Sequence, residues 1–144
     1  MSRLFLDANV FLYALGGESP YREDCRAVLS AVAEGRVVGV INTEVLQEVL
    51  HVRKRRLGAN DATAAVRAAA ALVAEVLPVG AEEMLTACDL LDRHGHLSAR
   101  DALHVAVMRN AGISRMVSVD SDFDVVKEVE RLKPKDALRV RHGT

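Results

Sequence analysis

Leu4-Phe5-Leu6-Asp7-Ala8-Asn9 is the stretch from which the rest of the chain can be read. Three apolar residues run straight into an acid, and Val10-Phe11-Leu12-Tyr13-Ala14-Leu15 follows. A short all-apolar run of this kind reads as a strand buried on both faces, the usual state of a strand in a parallel sheet. Ligand sites in open α/β sheets lie just outside the carboxyl ends of such strands, and Asp7 falls at that end. A carboxylate there also suits the N-cap of the segment that follows. Acids at the ends of other strands would separate the two roles.

Working outward, Ala8–Leu15 reads as a short helix stopped by Gly16-Gly17. Ser19-Pro20 opens a second helix, with Cys25, Val28, Leu29 and Val32 at helical spacing and Gly35 ending it. Residues 37–41 form a second buried strand, and Asn42 or Thr43 caps a helix through about Arg56. Asn60 or Asp61 caps the next helix, 62–75, whose Ala-rich text is good helix composition. Residues 76–79 form a third strand, placed toward an edge by Pro78. A helix over 82–93, the loop His94-Gly95-His96 and a helix over 99–110, capped by Ser98 and closed by Gly112, come next. Residues 116–119 make a fourth strand leading into Asp120, a short helix is expected over 125–132, and 137–140 reads as a last edge strand. Strands alternating with helices predict one domain, 1–144, with an α/β fold. Its three α/β/α layers enclose a central, mostly parallel sheet of four to five strands.

Composition narrows the function. A 144-residue chain buries a real core without metal or disulfide support. Aromatics are only 3% of the residues, which disfavours an aromatic platform for stacked bases. The formal net charge of -1 gives no global attraction to nucleic acid, so such a partner needs a local basic patch or bound cations. Cys25 and Cys88 stand far apart with no CxxC, as reduced packing residues do. The first apolar run, interrupted by Asp7 and Asn9, fits neither a signal peptide nor a membrane span, so a cytoplasmic protein is expected.

Acids gather where the strands end. Asp7 follows strand one, and Glu44 and Glu48 stand in the helix after strand two. Asp101 lies in the first turn of the helix at Ser98, while Asp120, Asp122 and Asp124 follow strand four. The helix dipole accounts for a lone first-turn acid such as Asp101, but not for Asp7 and Asp120, each closing a buried strand. Crowded carboxylates repel and take up protons unless a cation neutralises them. All-oxygen ligation favours Mg²⁺ or Mn²⁺ over zinc.

Other metal or phosphate sites fail on particular residues. Asp120-x-Asp122-x-Asp124 opens like a calcium loop, but Val125 stands where glycine is needed and Arg131 where the bidentate glutamate is needed. There is no Gly-rich phosphate loop and no HExxH. A haloacid-dehalogenase-type phosphatase needs a second Asp at position 9, where this chain has Asn9. His94 and His96 are expected to be solvated loop residues rather than ligands.

Four blocks in order then carry a resemblance over essentially the whole chain. They are Leu6-Asp7-Ala8-Asn9-Val10-Phe11, Val45-Leu46-Gln47-Glu48-Val49, Ser98-Ala99-Arg100-Asp101-Ala102-Leu103-His104-Val105-Ala106 and Val117-Ser118-Val119-Asp120-Ser121-Asp122-Phe123-Asp124. Together they resemble the PIN-domain family, and within it the VapC-type toxins. The resemblance implies a Mg²⁺- or Mn²⁺-dependent endoribonuclease with Asp7, Glu48, Asp101 and Asp120 as its acidic quartet. Asp122 matches the frequent fifth acid, Asn9 the polar residue ordering the first carboxylate, and Ser118 the small hydroxyl before the last. Glu44 lies one turn before Glu48 on the same helix face, so spacing alone does not choose between them; the block pattern favours Glu48.

Asp7 and Asp120, on strand ends, are the candidates for direct ligation, and Glu48 and Asp101 for ligation through water. Arg53, Lys54, Arg55 and Arg56 form the densest basic cluster and are candidate RNA contacts. Arg100 is another, either steering substrate or pairing with a neighbouring acid. The resemblance further implies a homodimer built on exposed apolar helices and a cognate antitoxin that blocks the acidic cleft. A PIN nuclease of RNA maturation without an antitoxin, and a non-catalytic interaction domain, are the alternatives. The intact quartet argues against the second.

Overall fold

The computed structural model describes residues 2–139. Five strands, β1 (Arg3–Leu6), β2 (Val38–Asn42), β3 (Glu75–Leu77), β4 (Arg115–Val117) and β5 (Glu130–Leu132), form one sheet in the order β3-β2-β1-β4-β5. Every neighbouring pair is parallel. Six helices connect them: α1 (Ala8–Leu15), α2 (Arg22–Ala33), α3 (Thr43–Leu57), α4 (Ala59–Leu72), α5 (Ala81–Arg93) and α6 (Ala99–Ala111). Because neighbouring strands are parallel, each connection must cross over the sheet, and the helices make those crossings. Helices α1 to α4 pack among themselves, α5 packs on α6, and the three-layer α/β/α arrangement expected from the sequence results.

Strand β1 is central because its residues are apolar on both faces: Leu4, Phe5 and Leu6 are all buried. From β1 the chain moves outward through β2 to β3 on one side of the sheet, and later through β4 to β5 on the other. The crevice at the carboxyl ends of β1 and β4 is therefore the topological switch point at which open α/β sheets bind ligands. Gly39 lets α2 come close to the sheet, since a Cβ there would lie 2.9 Å from a methyl of Val32 and 3.0 Å from one of Leu6. Cys25 and Cys88 are both free thiols. Among the described residues no helix is long and apolar enough to cross a membrane.

Three expectations change. The helix expected over 125–132 is instead a 3-10 turn over Ser121–Val125 followed by β5. Strand β4 would otherwise leave an outer row of N–H and C=O groups unpaired, and β5 satisfies it. With that edge taken, residues 137–139 form a turn and not a strand, and Val140 lies outside the described residues. Helix α4 begins at Ala59, after Gly58 at φ 93°, so neither Asn60 nor Asp61 caps it. Asp61 pairs with Arg53 instead.

Candidate metal centre

Asp7 caps α1 and stands close enough to Asp101 and Asp120 to feel their charges. Its side chain accepts from the Ala8 N–H at 2.8 Å, opening α1, and its backbone N–H donates to the Val117 carbonyl at 3.0 Å, tying β1 to β4. The Ser118 hydroxyl donates to Oδ2 of Asp7 at 2.6 Å, and Asn9 Nδ2 donates to the same oxygen at 3.2 Å. Asn9 also reaches Ser118 Oγ at 3.1 Å and accepts from the Val119 N–H at 3.3 Å. The residues following β1 and β4 are thereby laced into one unit, with Asp7 buried beneath it.

Above Asp7 the other acids converge. Asp101, Asp120 and Asp122 each offer a carboxylate oxygen, and these oxygens lie within 4.8 Å of one another. Local structure puts each one there. Ser98 caps α6 by accepting from the Asp101 N–H at 3.1 Å, which fixes Asp101 in the first turn. The Asp120 N–H donates to Ser118 Oγ at 3.0 Å, and Asp120 Oδ1 accepts from the Asp122 N–H at 2.8 Å. Arg131 braces the same loop, donating to the Ser118 carbonyl at 3.1 Å while pairing with Asp124 at 2.7 Å. Asp124 is thereby spent on Arg131.

The electrostatics follow from burial and repulsion. Burial pushes the Asp7 carboxyl above its ordinary range, against the hydrogen bonds from Ser118 and Ala8, and Asp120 pushes it the same way. Asp101 is raised to about 7, first by burial and then by the charges of Asp7 and Asp120. Among the described residues no lysine or arginine forms an ion pair with Asp101, Asp120 or Asp122; the nearby pairs go elsewhere. A crowded, under-neutralised set of hard oxygen donors fits a divalent cation such as Mg²⁺ or Mn²⁺ and offers zinc neither imidazole nor thiolate.

Glu48 stands beside this group rather than in it. Arg100 holds it, and holds Glu44 at 3.1 Å through its Nε. Of the two roles open to Arg100, pairing with neighbouring acids is the one observed. Glu44, which spacing alone did not separate from Glu48, is the other half of that clamp. Arg53 is a correction. It is buried, and its Nε and Nη2 hold Asp61 at 2.8 and 3.1 Å, so it braces α3 against α4 and is not available to phosphate. Lys54, Arg55 and Arg56 are exposed. His96 contacts the Asp122 carbonyl at 3.1 Å, and neither it nor His94 joins the acid group.

Sequence reasoning missed His104. It is wholly buried on α6, one turn beyond Asp101, with Nε2 3.6 Å from Asp7 Oδ1 and Nδ1 3.0 Å from Asn42 Nδ2. Burial pushes its pKa down to about 4, so the ring is neutral. Its signal was a polar residue set in the apolar run Ala102 to Met108 of a helix that opens with a site acid.

Comparison with known proteins agrees with this geometry. The PIN domain family model matches residues 4–129. Ribonuclease VapC13 of Mycobacterium tuberculosis is 36% identical over 132 residues, covering 90% of this chain and 98% of that protein. Ribonuclease VapC7 of the same organism is 33% identical over 142 residues, 93% of each. Among solved structures, M. tuberculosis VapC20, described as a sarcin-ricin loop cleaving toxin, superposes with a TM-score of 0.70 at 27% identity, over 84% of this chain and 92% of that one. DNA-bound VapBC from Salmonella typhimurium gives 0.72 at 15% identity, over 93% and 99%, and so supports the fold. The chain belongs to the PIN-domain family, and its curated relatives there are VapC ribonucleases.

Proposed function

We propose that this chain is a Mg²⁺- or Mn²⁺-dependent endoribonuclease of the VapC type, the toxin of a toxin–antitoxin pair, working in the cytoplasm as one domain. The observation that carries the reading is the group Asp101–Asp120–Asp122 above buried Asp7, at the switch point of a parallel sheet and without a cationic partner among the described residues. Relatives named ribonucleases, at 36% and 33% identity over nearly their whole length, support the chemistry.

In this reading Asp7, Asp101, Asp120 and Asp122 hold the cation, with Glu48 at its margin. A divalent ion held by these residues would supply positive charge for the scissile phosphate and for the negative charge that grows during attack by water. Water adds to phosphorus and the bond to the 3′-oxygen breaks, leaving a 5′-phosphate and a 3′-hydroxyl with no part for the RNA 2′-hydroxyl. Burial and then the charges of Asp7 and Asp120 raise Asp101 to about 7, and a cation held there would favour its ionised form. Asn9 and Ser118 keep Asp7 in one orientation, and Arg100 offsets the charge of Glu44 and Glu48 beside the acids.

Arg55 stands seven residues beyond Glu48 on the same face of α3, about 10 Å along the axis, and with Lys54 and Arg56 is the proposed contact for the RNA backbone. Met84 and Leu85 on α5, 49% and 68% exposed, are apolar side chains open to a second copy in a homodimer. Neighbouring folds solved as a toxin–antitoxin complex and as a member of the VapBC family of toxin–antitoxin systems support an antitoxin as the other partner. Incubating the purified protein with single-stranded RNA, with and without Mn²⁺, tests the reading. Cleavage is expected only with the ion, and its products should carry 5′-phosphates.

A further inference from the structure

Two contacts fix where the proton of His104 sits. A backbone N–H only donates, so the Asn42 side-chain oxygen must be the atom that accepts from the Val45 N–H at 2.8 Å. The Asn42 nitrogen then faces His104 Nδ1 at 3.0 Å as a donor, and Nδ1 must be the unprotonated, accepting nitrogen of the ring. In the neutral imidazole the proton is therefore on Nε2. That N–H is wholly buried without a hydrogen-bond partner, and buried polar groups in that state are rare enough to need a reason. Nε2 lies 3.6 Å from Oδ1 of Asp7, just outside hydrogen-bond reach. Oδ2 of Asp7 already takes Ser118 and Asn9, whereas Oδ1 takes only the Ala8 N–H. The ring is packed against Phe5 of β1, centroids 5.4 Å apart.

We infer that His104 is a positioning residue for the metal centre: Asn42 sets its tautomer, and its Nε2–H is aimed at Oδ1 to orient the Asp7 carboxylate. The chain Asn42–His104–Asp7 runs from the end of β2 through α6 to the end of β1, so one buried ring links three elements that build the site. A histidine serving the core alone has no reason to aim an unpaired N–H at the most buried acid of the site. The inference rests on the divalent-cation reading above.

The experiment has one readout that needs no metal and one that needs no catalysis. In the metal-free protein at pH 8, long-range proton–nitrogen correlation spectra of the ¹⁵N-labelled chain should show His104 as the neutral tautomer protonated at Nε2. A ring protonated at Nδ1 overturns the inference. Calorimetric titration with Mn²⁺ alone then compares wild type with His104→Gln, whose side-chain amide can present an N–H near the Nε2 position, and His104→Leu, which presents none. Mn²⁺ affinity should fall about 10- to 100-fold in the Leu variant, the range seen when the partner of a metal ligand is removed. The Gln variant should keep most of it. Equal affinity in wild type and His104→Leu, or equal loss in both variants, overturns the inference while the cation reading survives. If His104→Leu does not fold, the tautomer and the Gln variant still decide. Should wild type bind no Mn²⁺ while His104 carries its proton on Nε2, the cation reading falls and the positioning role with it, and only the Asn42–His104 hydrogen bond remains.

Discussion

Ser118 and Asp7 share a 2.6 Å hydrogen bond across the seam between β1 and β4, the hydroxyl donating to Oδ2. The two residues are far apart in sequence and both buried, and the bond fixes the carboxylate on which the site is built. The same oxygen of Ser118 accepts from the Asp120 N–H at 3.0 Å, so one hydroxyl positions two acids. Ser118→Ala should cost about 1–3 kcal/mol in urea unfolding, because it strips a buried donor from a carboxylate. It should also cut Mn²⁺ affinity about 10- to 100-fold, as second partners of ligands do. Unchanged Mn²⁺ binding would mean that Asp7 is held well enough without it.

The two glutamates under Arg100 should separate. Glu48→Gln removes charge at the margin of the acid group, and the rate of RNA cleavage should fall by orders of magnitude. Glu44→Gln breaks one arm of the clamp and should cost less than about tenfold. Rates measured under single-turnover conditions give the comparison, and a reversed order would move the functional acid one turn along α3.

The acid group also makes stability depend on pH. Asp101 titrates at about 7 in the fold against 3.8 ordinarily. A raised carboxyl pKa favours folding below the ordinary value, and that contribution is lost as pH rises through the folded one. His104, lowered to about 4 from 6.5, works the opposite way, losing stability as pH falls through that window. Comparison with Asp101→Asn removes the histidine effect. The metal-free variant should therefore gain on wild type between about pH 4 and pH 7 and hold its advantage above that. Melting curves across the range check it, and a constant difference would show that neither burial nor repulsion raises the Asp101 carboxyl in the fold.

Arg53 and Arg55, two residues apart, should behave as different kinds of residue. Arg53→Ala leaves Asp61 without its partner and should lower stability by about 1–3 kcal/mol with little effect on RNA affinity. Arg55→Glu should leave the melting temperature nearly unchanged and weaken RNA binding at low salt. Filter binding by an Asp120→Asn protein, which should bind without cutting, tells the two apart.

The contrast shows what could be read in advance. Buried strand β1, the acids at strand ends, the cap Ser98 and the cap at Asn42 or Thr43, which falls on Asn42, were legible because each depends on local pattern: an apolar run, a strand terminus, an oxygen before a helix. β5 was not, since Glu130–Leu132 has no strand periodicity of its own and owes its conformation to the open edge of β4. The fate of each charge was equally hidden. Whether Arg53 meets phosphate or Asp61, and whether Arg100 is free or clamped on Glu44 and Glu48, depends on where α4 and α6 come to lie. His104 was missed for the same reason, because its role exists only once β1, β2 and α6 meet.

The central claim is that RNA hydrolysis depends on a cation held by Asp7, Asp101, Asp120 and Asp122. Its most direct test is a time course of single-stranded RNA cleavage by wild type in Mn²⁺, in excess EDTA, and in EDTA followed by restored Mn²⁺, beside Asp120→Asn in Mn²⁺. The account predicts cleavage in the first condition, none in the second, recovery in the third, and a loss of orders of magnitude for the variant. Undiminished cleavage by wild type in EDTA, or by Asp120→Asn in Mn²⁺, would contradict it.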